Sequence, residues 1–335
     1  MKKILRGICM VTVLALAFTA CKKNEEKAAF QGSTQVFVNE GGAFEDGERA
    51  YWNNVDAHMY FEEGDQVMLF NIDDAATLSE CALYHADATG TLVNFIPDEE
   101  MSTRVHTAFY GFYPGATVVP DLQNQNYAKF PVAPVQVYRQ DENGRPIIAK
   151  DCLYMAAKEE TTNLGSTEFH FQNICGVLVM PLYSTNTDGR YVQSIVIDDN
   201  VWNLYGDFNV KVNMVNAELL QAYFDNFDMS DPGFQQYISD LGYFCDGAKG
   251  KRMVLDCSGY ENGEGEPNGV HLLAAPAVAQ QFCIVLRPMA LANGFTMTVN
   301  YVDAAGNPDY YQISTMRNNM IRPNWYRTFS AIDIH

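Results

Sequence analysis

Short runs in which apolar side chains alternate with polar ones, each closed off by Gly, Asn, Asp or Pro, recur along nearly the whole chain. This pattern constrains the fold more than any other feature. Successive side chains of an extended strand point to opposite faces, so such a run has one oily face and one wet face. In Glu168-Phe169-His170-Phe171 the two rings share one side while the carboxylate and imidazole share the other. A sheet built from such strands must cover its oily face with a second layer, which predicts sandwiches and excludes a helical bundle.

Candidate strands are 35–39, 66–72, 107–113, 135–139, 167–172 and 177–183, followed by 192–197, 206–212, 282–288, 295–302, 310–314 and 326–334. Glu142-Asn143-Gly144-Arg145, Thr187-Asp188-Gly189-Arg190 and Ala304-Ala305-Gly306-Asn307 put glycine where hairpin turns want a positive φ. Helix signals are few. Residues 217–227 form one candidate, and 231–241 another. In the second, Asp231 caps, Pro232 starts, and Phe234, Tyr237, Ile238 and Leu241 make one apolar face. The expected fold is therefore mainly β with a few short helices. The polar stretch 159–166 suggests a division near residue 165, giving β-sandwiches over 34–165 and 166–335.

The N-terminus is read separately. Lys2, Lys3 and Arg6 precede an apolar run over 8–18, then Thr19, Ala20 and Cys21. The layout is that of an export signal, too short to span a bilayer as a mature helix. Small residues directly before a cysteine predict a lipoprotein signal over 1–20, with Cys21 carrying the lipid and 21–33 a charged tether. No second apolar stretch reaches spanning length, so the mature chain is expected to be anchored rather than embedded.

The net charge is −19, and removing residues 1–20 takes three positive charges and no negative one, leaving −22. Such a field repels phosphate backbones, so nucleic acid is excluded as a partner. Beyond Cys9 and Cys21 there remain Cys81, Cys152, Cys175, Cys245, Cys257 and Cys283, an even count that permits disulfides outside the cytoplasm. Cys245–Cys257 is the most local pairing, and buried free thiols are the alternative. The six histidines are scattered, and no H-E-x-x-H, G-x-S-x-G or glycine-rich phosphate loop occurs. Asp73-Asp74 and Asp198-Asp199 are adjacent pairs that a strand would turn to opposite faces. Neither an enzyme nor a bound cofactor or metal is expected. The loop over 261–269 offers Glu261, Glu264 and Glu266 to a calcium ion but lacks the alternating ligands of a known site, and it reads as a solvated turn.

Several segments, in order, resemble the fimbrillin family of Bacteroidales surface proteins. They are Cys21; the extended Thr34-Gln35-Val36-Phe37-Val38-Asn39; Arg49 before Ala50; Gly64-Asp65 leading the strand at Val67; Phe109-Tyr110-Gly111-Phe112-Tyr113-Pro114; Asp151-Cys152-Leu153-Tyr154-Met155-Ala156; and the strand from Phe169. The resemblance spans nearly the whole chain. It implies two transthyretin-like β-sandwiches, lipidation, cleavage after an arginine in the leading strand, and polymerisation by strand donation. Carried onto this chain, Arg49 is the processing point and the residues before it are the displaced strand. The C-terminal strand is the expected donor, because a terminal strand can swing free, and Tyr326, Thr328, Ser330, Ile332 and Ile334 share one phase.

The expected role is a structural or adhesive pilus subunit at the cell surface, tethered to the outer membrane, with other subunits as partners. The alternative is a monomeric surface lipoprotein that binds a glycan or host protein. A fatty-acid probe fed to cells making the protein is expected to label it, and Cys21→Ala to abolish the label; label persisting in that variant would contradict the anchor.

Overall fold

The computed structural model describes residues 29–34, 38–41, 60–72, 78–98, 108–115, 119–120, 127–140, 144, 146–148, 152–160, 164–211, 247–291, 294–316 and 319–335. Cys21, Arg49, Cys245 and the helix candidates at 217–227 and 231–241 lie outside the described residues. Among the described residues the chain is β-structure, with short 3₁₀ turns at Leu164–Ser166 and Pro276–Val278.

Seven strands close into a ring. Going round it, they are β1 (Phe30–Thr34), β13 (Glu168–Asn173), β12 (Met155–Glu159), β6 (Ala108–Tyr113), β3 (Gln66–Ile72), β4 (Leu78–Ala86) and β5 (Leu92–Pro97), which returns to β1. Closure removes free edges. The interior is aromatic: Phe30, Phe61, Tyr84, Phe95, Phe109, Tyr113, Phe169 and Phe171 are all buried there with Val67, Leu69 and Met155.

Most of the other described strands form two larger sheets around one core. The first runs β2 (Val38–Gly41), β25 (Trp325–Thr328), β14 (Gly176–Tyr183) and β20 (Gln280–Leu286), with β26 (Ile332–Asp333) also on β14. The second runs β23 (Pro308–Ser314), β22 (Phe295–Val302), β15 (Tyr191–Asp199), β18 (Arg252–Asp256) and β9 (Val135–Val137), with β19 (Val270–His271) on β15. In β22, Phe295, Met297, Val299 and Tyr301 are buried while Thr296, Thr298, Asn300 and Val302 are half-exposed, the alternation a half-buried strand requires. β14 differs: Gly176 through Leu182 are all buried, the run of a strand covered on both faces.

A four-stranded sheet, β17 (Ala248–Gly250), β16 (Tyr205–Lys211), β8 (Tyr127–Val132) and β7 (Val119–Pro120), and two small pairs, β10 (Arg139–Gln140) with β11 (Pro146–Ile147) and β21 (Met289–Leu291) with β24 (Asn319–Ile321), complete the described strands. Gln136 on β9 ties the larger sheets together. Its amide donates to the Val285 carbonyl at 2.8 Å and accepts from the Val285 N–H at 2.9 Å, so both buried backbone groups are satisfied by one side chain.

Pairing crosses the expected division near residue 165. β13 lies beyond it yet completes the ring, because Phe169 and Phe171 both enter the first core. β8 and β9 lie before it yet pair with β16 and β18. Phe130 on β8 packs edge-on to Phe112 of the ring and to Tyr154, both at 5.5 Å, so the two parts share an aromatic wall. Residues 30–33, read from sequence as tether, are most of β1.

Candidate functional site

The candidate site is the place of β1 in the ring. β1 runs antiparallel to β5, with Phe30 opposite Phe95 and Gly32 opposite Val93, and parallel to β13, with Gly32 beside Phe169 and Ser33 beside His170. Among the described strands it is the sole bridge between them: take it out and the facing edges of β5 and β13 both lose this partner. The Gln31 N–H donates to the Thr167 carbonyl at 3.1 Å, and the Thr34 N–H to the Thr91 carbonyl at 3.0 Å.

Alternation places its side chains. Phe30 points inward, its ring 4.7 Å from Phe169, 5.1 Å from Tyr84 and 5.2 Å from Phe95. Gly32, next on that face, has no room for a side chain. A Cβ there would lie 2.6 Å from Cε2 of Phe95 and 3.1 Å from Cε2 of Phe171. The Phe171 ring also sits over Gly111 of β6, where a Cβ would meet it at 2.8 Å. On the outer face Gln31 donates weakly to Asn94, and the Ser33 hydroxyl lies 2.9 Å from Nδ1 of His170, which is 3.7 Å from Glu168.

The same N-terminal segment reaches the other sheets. β2 runs parallel to β25, pairing Val38 with Trp325 and Gly41 with Thr328, and β25 in turn runs parallel to β14. The C-terminal strand is thus an inner strand, flanked by β2 and β14. Of the predicted donor residues, Tyr326, Thr328, Ile332 and Ile334 are buried and Ser330 is half-buried. The single continuous strand expected over 326–334 is instead broken between β25 and β26. Phe329 turns into the core there and stacks on Phe295 at 5.7 Å, an aromatic burial that overrides the alternation. Beyond the break, Ile332 pairs with Leu182, and the Ile334 N–H donates to the Tyr183 carbonyl at 2.8 Å. Burial raises the pKa of the Tyr326 hydroxyl well above its ordinary value.

Sites for other chemistry are poorly furnished. Among the described residues no group of three or more His, Cys, Asp or Glu is placed to hold a metal ion. In the loop over 261–269 the three glutamates point to solvent, and the Asn262 amide takes up the carbonyls of Pro267 and Gly269 at 2.7 and 2.6 Å. Cys175, Cys257 and Cys283 are buried free thiols whose pKa burial pushes upward, which makes them inert. A cavity between β9, residues 146–148, Cys152, Leu255 and Cys283 has about 10 Å³, room for one water. Arg287 is buried and donates to the Asn203 carbonyl, and its pKa is pushed down to about 10 by burial. It stacks on the Phe208 ring at 4.9 Å, a structural role inside the second core.

No protein-family model and no curated protein matches the chain in sequence. Solved structures do match. A candidate cell adhesion protein from Bacteroides ovatus is 11% identical over 92% of this chain and 92% of its own, with a TM-score of 0.50. A second from Bacteroides uniformis is 12% identical, covering 86% of this chain and 84% of that one, with a TM-score of 0.44. A fimbrial protein from Bacteroides vulgatus is 10% identical, covering 91% and 95%, with a TM-score of 0.40. At this identity the likeness to the Bacteroides ovatus protein is one of fold. The mainly β, sandwich-type fold agrees with the sequence reading.

The packing of β1 predicts two stability losses, read by urea denaturation of the full chain. Phe30→Ala is expected to cost about 3–5 kcal/mol by emptying a filled aromatic core. Gly32→Ala is expected to cost about 1–3 kcal/mol by overpacking it. A Gly32→Ala protein as stable as the parent would mean that Phe95 and Phe171 yield freely.

Proposed function

We propose that the protein is a cell-surface subunit of a fimbrium, structural or adhesive, held to the outer membrane by lipid on Cys21 and assembled by strand exchange after cleavage at Arg49. One observation carries the reading. The strand that closes the first ring belongs to the N-terminal segment preceding Arg49. Loss of that segment removes β1 and β2 together. It leaves a slot with unpaired backbone groups along β5 and β13 and an aromatic pocket where Phe30 sat, and it makes β25 an edge.

An extended segment from another subunit suits such a slot, because main-chain hydrogen bonds supply affinity and alternating side chains supply register. In turn, the strand that this chain offers to a neighbouring subunit is proposed to be the C-terminal stretch with Tyr326, Thr328, Ser330, Ile332 and Ile334. It is held to β14 by parallel pairing, through Tyr326, Arg327 and Thr328 and then through Ile332 and Asp333. Exchange of pairing within one subunit for pairing between two costs little net bonding. The partners are other pilus subunits, and no catalytic role is proposed.

Arg49→Ala, introduced in a strain that makes these fibres, is expected to leave the surface protein uncut and to remove it from fibres. Deletion of 326–335 is expected to leave cutting intact and stop polymer growth. Arg49→Ala protein found in fibres at the parental level would refute the processing step. A parental protein that is never cut and never found in fibres would favour the monomeric lipoprotein that binds a glycan or host protein.

A further inference from the structure

We infer that the slot vacated by β1 takes a strand from a different protein, one with an aromatic residue and, two positions on, a glycine, rather than the C-terminal strand of a second copy of this chain. The inference rests on the strand-exchange reading above and concerns which partner the slot accepts.

Its basis is the pair of inward positions on β1. At the first, Phe30 fills a space walled by Tyr84, Phe95 and Phe169. At the second, Gly32 leaves its space to the rings of Phe95 and Phe171. Those rings cannot easily retreat. Both are fully buried, and Phe61 backs them with edge-on contacts at 5.0 and 5.5 Å. In a close-packed interior an added methyl must displace something, so a donor with any side chain at the second position pays for it.

The chain's own C-terminal segment cannot meet this pattern. No glycine follows Gly306. Its aromatic residues are Trp325, Tyr326 and Phe329, and two positions on from these stand Arg327, Thr328 and Ala331. Run in the opposite direction, the positions hold Pro323, Asn324 and Arg327. Every register therefore sets a side chain against Phe95 and Phe171. A donor with aromatic-x-glycine enters without that clash and seats its ring where Phe30 was.

The test uses the full-length chain with a site-specific protease sequence inserted after Arg49, cut while folded. A fluorescent peptide of residues 28–37 is exchanged into the slot and followed by anisotropy. Unlabelled 28–37 is expected to compete well, and the 326–335 peptide about tenfold or more worse. Thr328→Gly in that peptide creates the required spacing from Tyr326 and is expected to recover about tenfold, whereas Thr328→Ala recovers little. Equal competition by unmodified 326–335, or no gain from Thr328→Gly, would overturn the inference. Failure of 28–37 itself to exchange would instead refute the strand-exchange reading and this inference with it.

Discussion

The facing edges of β5 and β13 are the constraint on which the rest of the first unit depends. A strand edge holds backbone groups that must find partners, and among the described strands the only one between the two edges is β1. With it the ring closes around a core of packed aromatic side chains, and Phe30 is part of that core rather than a lid upon it. A strand of five residues therefore satisfies two edges and fills one pocket. Its outer-face contacts, Ser33 with His170 and Gln31 with Asn94, are solvent-exposed and add little.

The remainder is tied together by different means. β14 is covered on both faces, Gln136 joins β9 to β20, and Phe130 links the ring to the sheet holding β8. None of these contacts uses β1 or β2. The proposed loss of the N-terminal segment thus removes the closing strand while sparing the contacts that unite the molecule. The same segment also flanks β25, so acceptor slot and proposed donor are covered by one stretch of chain.

Where side-chain pattern decides structure, the sequence was informative. The strands at Gln66–Ile72 and Phe295–Val302 begin and end where alternation places them. The hairpin at Gly306 forms, its tip held by Asp303, whose carboxylate accepts N–H bonds from Ala305 and Asn307. Legibility fails where tertiary pairing overrides propensity. Met-Ala-Ala-Lys-Glu of β12 has little β preference, yet it is a strand because β6 and β13 both require its backbone. Phe-Gln-Gly-Ser-Thr of β1 looks like linker for the same reason, and only the rings of Phe95 and Phe171 explain its glycine. The break in the C-terminal strand was hidden because Phe329 is on the face opposite to the alternating set. The proposed lipid anchor at Cys21 is read from the residues before it, and the proposed processing point at Arg49 from the fimbrillin resemblance.

If β1 leaves its slot during assembly, holding it in place must block assembly. Ser33 and His170 are register partners whose side chains meet on the outer face, so Ser33→Cys with His170→Cys can bridge β1 to β13. The oxidised double variant, though cut at Arg49, is expected to retain its N-terminal segment and to stay out of fibres until a reductant frees it. Incorporation into fibres at the parental level with the bridge intact would contradict the account.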